Sequence, residues 1–183
     1  FNSVNPIGTA EFANSSQFTT VFWLKITSTP SIYGERIILQ GSHNVGWSDE
    51  RAASFGIATW ADGRLAVSWL DEDRVGQVIG LPAGTIAPNN WYQVFFKADG
   101  TNVSLGVNAQ ILGTVSATLA TVEKPISLGG ESDYYFDSGL VDELRCYERA
   151  LTQEEIQQLY YTEAFTSEEK GFLAAVPSVL GHV

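Results

Sequence analysis

The sequence predicts an all-β fold, two antiparallel sheets packed face to face, with one short helix near the C-terminal end. Composition gives the first reason: five Trp, seven Tyr and ten Phe with frequent Gly and only 17% charged residues suit a sandwich with many turns. The second is a set of alternating runs joined twice by Asp-Gly, at Asp62-Gly63 and Asp99-Gly100, the short-range signal of a hairpin. The third is a change of period near the end, where a strand-length run over Leu140–Tyr147 gives way to apolar residues about four apart. A chain of 183 residues holds one well-buried domain and is small for two.

In chain order, the first dozen residues are polar and turn-rich, and Glu11-Phe12-Ala13 is expected to enter a sheet late. Phe18–Ile26 is the first clear strand: Phe18, Phe22, Leu24 and Ile26 share one face, Val21 and Trp23 the other, so both faces are covered. Ile37–Gly41 is a short strand, followed by a polar loop over 43–51 that carries Trp47 and Asp49. Ser54–Trp60 and Arg64–Leu70 form a hairpin, and Asp71-Glu72-Asp73-Arg74 after it is dense in carboxylates. Pro82, Gly84 and Pro88 punctuate the connection to Asn90–Lys97, which Asp99-Gly100 turns into Thr101–Asn108. Ile126–Gly129 is a further short strand.

Asp137-Ser138-Gly139 opens the last strand. Thr152 with Glu155 three residues later is a capping box, and Ile156, Leu159 and Tyr160 form the stripe of a short helix lying on something apolar. Thr166 and Glu169 repeat the capping spacing, and Phe172, Leu173 and Val176 make 166–183 an apolar tail. It is read as a docking or assembly segment after a sandwich spanning 1–165.

The segment Gly139, Val141, Asp142, Glu143, Leu144, Arg145, Tyr147, Arg149, Ala150, Leu151, Thr152, Glu155, Ile156 resembles the closing signature of laminin-G-like domains in the concanavalin A-like lectin/glucanase superfamily. Phe18–Lys25 is similar to that family's opening strand, and Trp91 to Asn108 to its middle hairpin, with Tyr92-Gln93 where a His pair is usual. The resemblance implies a jelly-roll sandwich. It also implies that Asp142 matches an acid that holds a structural calcium on the back of many such domains, its partners coming from near the N-terminus, here Asn2, Asn5 or Glu11. Asn108 replaces the usual Asp in the hairpin and weakens any metal role there. Fold does not carry function with it.

A net charge of −11 argues against nucleic acid and against an anionic membrane surface, both of which need clustered Lys and Arg. One Cys excludes an internal disulfide, and Cys146 is read as a small buried hydrophobe. No stretch approaches the roughly 18 apolar residues of a membrane span. Glycoside hydrolysis needs two carboxylates facing across one sugar, and no strand carries Glu-x-Asp-x-Glu. The two His, at 43 and 182, suggest no triad. The chain is therefore read as no enzyme.

Sugar binding needs an aromatic platform with Asp, Asn or Arg for the hydroxyls. The available platforms are Trp47, Trp60, Trp69, Tyr134 and Tyr135; Trp47 has Asp49 close by, Trp69 precedes Asp71 and Asp73, and core packing is the competing reading for Trp60 and Trp69. The expected function is a non-catalytic carbohydrate-recognition or adhesion module of a secreted, cell-surface or virion protein. Its partner would be a glycan or glycoprotein, with calcium, held by Asp142 and Asn2, as structural cofactor. The alternatives are an assembly domain contacting protein neighbours, or a homo-oligomer, through the tail, and a glycan-active enzyme with an unrecognised site.

Overall fold

Strand β1 (Gln17–Ile26) sets the architecture, because its two faces are apolar at alternate positions and both are covered. The computed structural model describes residues 16–30, 34–40, 55–73, 75–120, 126–129 and 136–166. The other elements are β2 (Glu35–Gln40), β3 (Phe55–Thr59), β4 (Leu65–Leu70), β5 (Gly76–Gly80), β6 (Trp91–Asp99), β7 (Asn102–Val107), β8 (Gln110–Ser116), β9 (Ile126–Leu128), β10 (Gly139–Tyr147) and α1 (Gln153–Thr166). They form two five-stranded sheets, in the orders β10-β1-β6-β7-β8 and β5-β4-β3-β2-β9, with every pairing antiparallel. The predicted sandwich with one helix is the fold observed.

The inner faces meet in one core. Phe18, Phe22, Leu24 and Ile26 of β1 pack with Val94 and Phe96 of β6 against Phe55 and Ile57 of β3 and Leu65, Val67 and Trp69 of β4. Phe18, Phe55 and Phe96 form an aromatic cluster with centroids 5.1–5.3 Å apart. On the opposite face of β1, Val21 and Phe95 pack under Leu151 and Ile156, so α1 covers the outside of the first sheet. The capping box forms as expected, Thr152 N–H donating to Glu155 at 2.9 Å and Glu155 N–H to the Thr152 hydroxyl at 3.2 Å.

Strand β10 departs from simple alternation. Opposite β1, Val21 pairs with Arg145 and Trp23 with Asp142, so Glu143 and Leu144 together face Phe22 in a bulge. Glu143 takes φ 51°, and its N–H donates to the Asp142 carboxylate at 2.9 Å. The extra residue turns Val141 and Leu144, three apart, to the same core.

Strands β5 and β8 have no counterpart among the strands expected from sequence. Each is the last strand of its sheet and half-exposed, so neither shows the apolar run of a buried strand. Thr166, expected to open a further helix, is the last residue of α1. Glu11-Phe12-Ala13 and the tail beyond Thr166 lie outside the described residues.

Candidate functional site

Alternation fixes what the outer face of the β2–β5 sheet can offer. Because Phe55, Ile57, Leu65, Val67 and Trp69 point inward, the residues between them point outward. The register aligns Arg36, Ala58, Ala66 and Gly80 in one row and Gly56, Ser68 and Val78 in the next. These floor residues are small. Larger side chains rise only at the margins, which makes a trough of about 420 Å³ lined by Arg36, Trp60, Ala66, Ser68, Gly76, Gln77 and Val78. That volume is within the range of small-ligand sites, about 300–1,000 Å³.

Each margin is held in place. Trp60 stands at the end of β3, where its N–H donates to the Arg64 carbonyl at 3.2 Å and the Arg64 guanidinium lies 5.5 Å from its ring centroid. The indole also packs on the backbone of Gly34, where a Cβ would lie 2.7 Å from the ring; Gly34 has φ +86°. Arg36 faces out because a bulge at Ile37 lets Ile37 and Ile38 both bury inward, and its guanidinium reaches the Ser68 hydroxyl at 3.5 Å. Next to it, Glu35 turns the other way and is buried, its carboxylate accepting the Ser138 hydroxyl at 2.7 Å. Gln77 is steered by Asp71, which accepts its side-chain N–H and the Val75 backbone N–H, each at 2.8 Å. Gln77 first, then Val75, holds the Asp71 carboxyl below its ordinary range.

The residues singled out from sequence distribute unevenly around this trough. Trp69 is a correction: it is fully buried and packs against Phe96 at 6.4 Å, so it cannot serve as a sugar platform. Its place in register with Phe55, on the inward parity of β4, is the reason. Asp71 acts at one remove, by positioning Gln77. Asp73 is exposed in the β4–β5 turn and does not line the trough. Trp47, Asp49, Tyr134, Tyr135 and Asn2 lie outside the described residues. Asp142 is on the far edge, exposed, with one oxygen engaged by Glu143 N–H. Among the described residues no group of three or more His, Cys, Asp or Glu is gathered. Of the two residues expected to hold calcium, Asp142 falls among the described residues and Asn2 does not.

Sequence reasoning missed Arg36, Ser68, Gln77 and Val78, and named Trp60 as an available platform but favoured core packing for it. The usable signal was parity: Phe55 and Ile57 inward place Trp60 outward.

The same fold occurs in several solved structures. The CBM40 of a Ruminococcus gnavus IT-sialidase, bound to alpha2,3 sialyllactose, matches with a TM-score of 0.67 at 19% identity, over 82% of this chain and 86% of that one. The botulinum neurotoxin serotype D binding domain matches with a TM-score of 0.66 at 17% identity, over 88% of this chain and 39% of that one. A serotype D ligand binding domain in complex with N-acetylneuraminic acid matches with a TM-score of 0.63 at 17% identity, over 84% of this chain and 38% of that one. The chain thus spans about two-fifths of these toxin structures, and at such identities the likeness is one of fold. No curated protein matches the chain in sequence. Residues 2–157 match a laminin-G family model, and the chain belongs to the concanavalin A-like lectin/glucanases superfamily.

Proposed function

We propose that this chain is a non-catalytic carbohydrate-recognition module, of a secreted, cell-surface or virion protein, that takes a glycan into the trough on its β2–β5 face. The observation that carries the reading is the trough itself: a floor of small residues with one aromatic margin, Trp60, the polar side chains of Arg36 and Ser68, and the edge strand at Gly76, Gln77 and Val78. A pyranose has an apolar face to lay on an indole and hydroxyls to exchange hydrogen bonds with a guanidinium and a hydroxyl. Arg36 is the one cationic side chain among the described residues of the lining, and a guanidinium pairs a carboxylate in bidentate fashion. Two of the similar structures hold sialylated ligands, which carry a carboxylate; this supports acidic sugars as the preferred class. A binding rather than catalytic role is favoured because no Asp or Glu among the described residues lines the trough, while hydrolysis needs a facing pair. Among the described residues no helix is long and apolar enough to cross a membrane.

A glycan array probed with the whole chain tests the reading. Binding is expected to sialylated or other acidic glycans, falling at least tenfold in Trp60→Ala and Arg36→Gln with an unchanged circular dichroism spectrum. Failure to bind any glycan, or binding that both variants retain, overturns it.

A further inference from the structure

Three successive residues hold two margins of the trough. Gly34 lies under the Trp60 indole, Glu35 is buried, and Arg36 lines the trough. Glu35 stands where alternation asks for an apolar side chain. It is 5% exposed and pairs in register with Thr59, which shares the inward parity of Phe55 and Ile57. A carboxylate is costly to bury unless it is hydrogen-bonded, and Glu35 meets that demand across the sandwich. The Ser138 hydroxyl donates to one carboxylate oxygen at 2.7 Å and the Ser138 N–H to the other at 3.3 Å. Ser138 is itself fixed from the first sheet: it is buried, and its carbonyl accepts the N–H groups of Thr27 at 2.8 Å and Ser28 at 3.1 Å. The pair thus ties the start of β2, in one sheet, to the point where β1 ends and β10 begins in the other.

The bulge at Ile37 is what makes such a tie useful. Ile37 and Ile38 are both fully buried, so apolar burial alone does not choose which residue before them faces inward. A slip of one residue would put Arg36 in the core and Glu35 on the trough, reversing the charge of that margin. Apolar contact is non-directional, whereas two hydrogen bonds at Glu35 select one phase.

We propose that Glu35 is the positioning residue of the trough: its pair with Ser138 sets the phase of β2, which stands Gly34 under Trp60 and turns Arg36 outward. On the reading of the trough as a glycan site, preference for an acidic over a neutral glycan is then set from inside the sandwich, by a residue that no ligand touches.

Fluorine NMR of the whole chain labelled with fluorotryptophan tests the pair without ligand, and Trp60→Phe assigns the Trp60 signal. Glu35→Ala should move or split that signal. Glu35→Gln should restore it, because a carboxamide accepts the Ser138 N–H and donates to the hydroxyl. Ser138→Ala, which keeps the carboxylate and covers the case in which Glu35→Ala does not fold, should also move it. Thr19→Val, which destabilises the far end of β1, should leave it in place. In titrations with sialyllactose, Glu35→Ala should lose about tenfold in affinity and Glu35→Gln no more than about threefold. A Trp60 signal unmoved by both Glu35→Ala and Ser138→Ala, one moved as far by Thr19→Val, or one that Glu35→Gln fails to restore overturns the proposal. So does an affinity for sialyllactose that Glu35→Ala retains. If the signal moves as stated and the unaltered chain binds no glycan, the glycan reading falls and the positioning role stands.

Discussion

The indole of Trp23 and the phenol ring of Tyr160 stack 5.6 Å apart at 18°, joining the central strand of one sheet to the helix that covers it. The contact is what makes a short helix persist, since packing rather than propensity holds such segments. Tyr160→Ala should lower unfolding free energy by about 1–3 kcal/mol, and Ile156→Ala, which empties a fully buried position, by about 2–5 kcal/mol. Urea titration measures both. Burial, then Tyr161, raises the Tyr160 hydroxyl above its ordinary pKa of 10.0, so ultraviolet titration beside Tyr160→Phe should show the Tyr160 phenol ionising late.

Thr19 closes the connection from β10 to α1. Its buried hydroxyl donates to the Arg149 carbonyl and accepts the Leu151 N–H, each at 2.9 Å. Thr19→Val keeps the shape and strands both backbone groups, which should cost about 1–3 kcal/mol. Thermal melts of the variant beside Thr19→Ser, which restores the hydroxyl, separate the bond from the methyl.

Two carboxyls are held well below their ordinary range. The Arg149 guanidinium, with the Thr152 N–H, brings Glu155 down to about 2 from 4.5. At Asp99 partial burial opposes ionisation, but the Thr101 and Asn102 N–H groups outweigh it and bring the carboxyl down to about 2 from 3.8. Both native values lie below the unfolded ones, so their contribution is complete above about pH 4.5 and is lost as pH falls toward 2. Carbon-detected titration should place both inflections near 2, with stability declining over that window; inflections near 4 would contradict it.

Gly34→Ala should disturb the trough without touching a ligand. The added Cβ would lie 2.7 Å from the Trp60 ring, in a backbone conformation of φ +86°. The left-handed conformation alone costs about 1–2 kcal/mol for a residue with a Cβ, and the displaced indole should weaken glycan binding several-fold. Isothermal titration beside a melting curve reads the two effects.

Calcium at Asp142, with Asn2, is a proposal carried by the family resemblance. A chelator should then lower the melting temperature, because an ion held only by the folded state stabilises it, and Asp142→Asn should abolish the shift. An unchanged curve would overturn the calcium proposal.

Much of this was legible in the sequence. Phe18–Ile26 declared its two faces, the Asp-Gly pairs their hairpins, and Thr152 with Glu155 the helix start, because each rests on local chemistry or on alternation that burial enforces. Strands β5 and β8 were not legible: Gly76-Gln77-Val78-Ile79-Gly80 has one buried position, and a strand at an edge need not be apolar on either side. The bulge at Glu143 escaped because Val141 and Leu144, three apart, contradict a period of two until an extra residue is allowed. Trp60 and Trp69 exchanged places for a related reason. Composition marks both as platforms, and only their parity against Phe55 and Leu65 sends Trp69 inward and Trp60 outward.

The helix and the trough occupy opposite broad faces, which gives the molecule a front and a back. Anchoring through α1 would leave the trough facing away from whatever surface holds the protein. A label placed on the exposed side of α1, at Gln157 or Gln158, would immobilise the chain with its sugar-facing side outward, whereas one at Val78 would blind it.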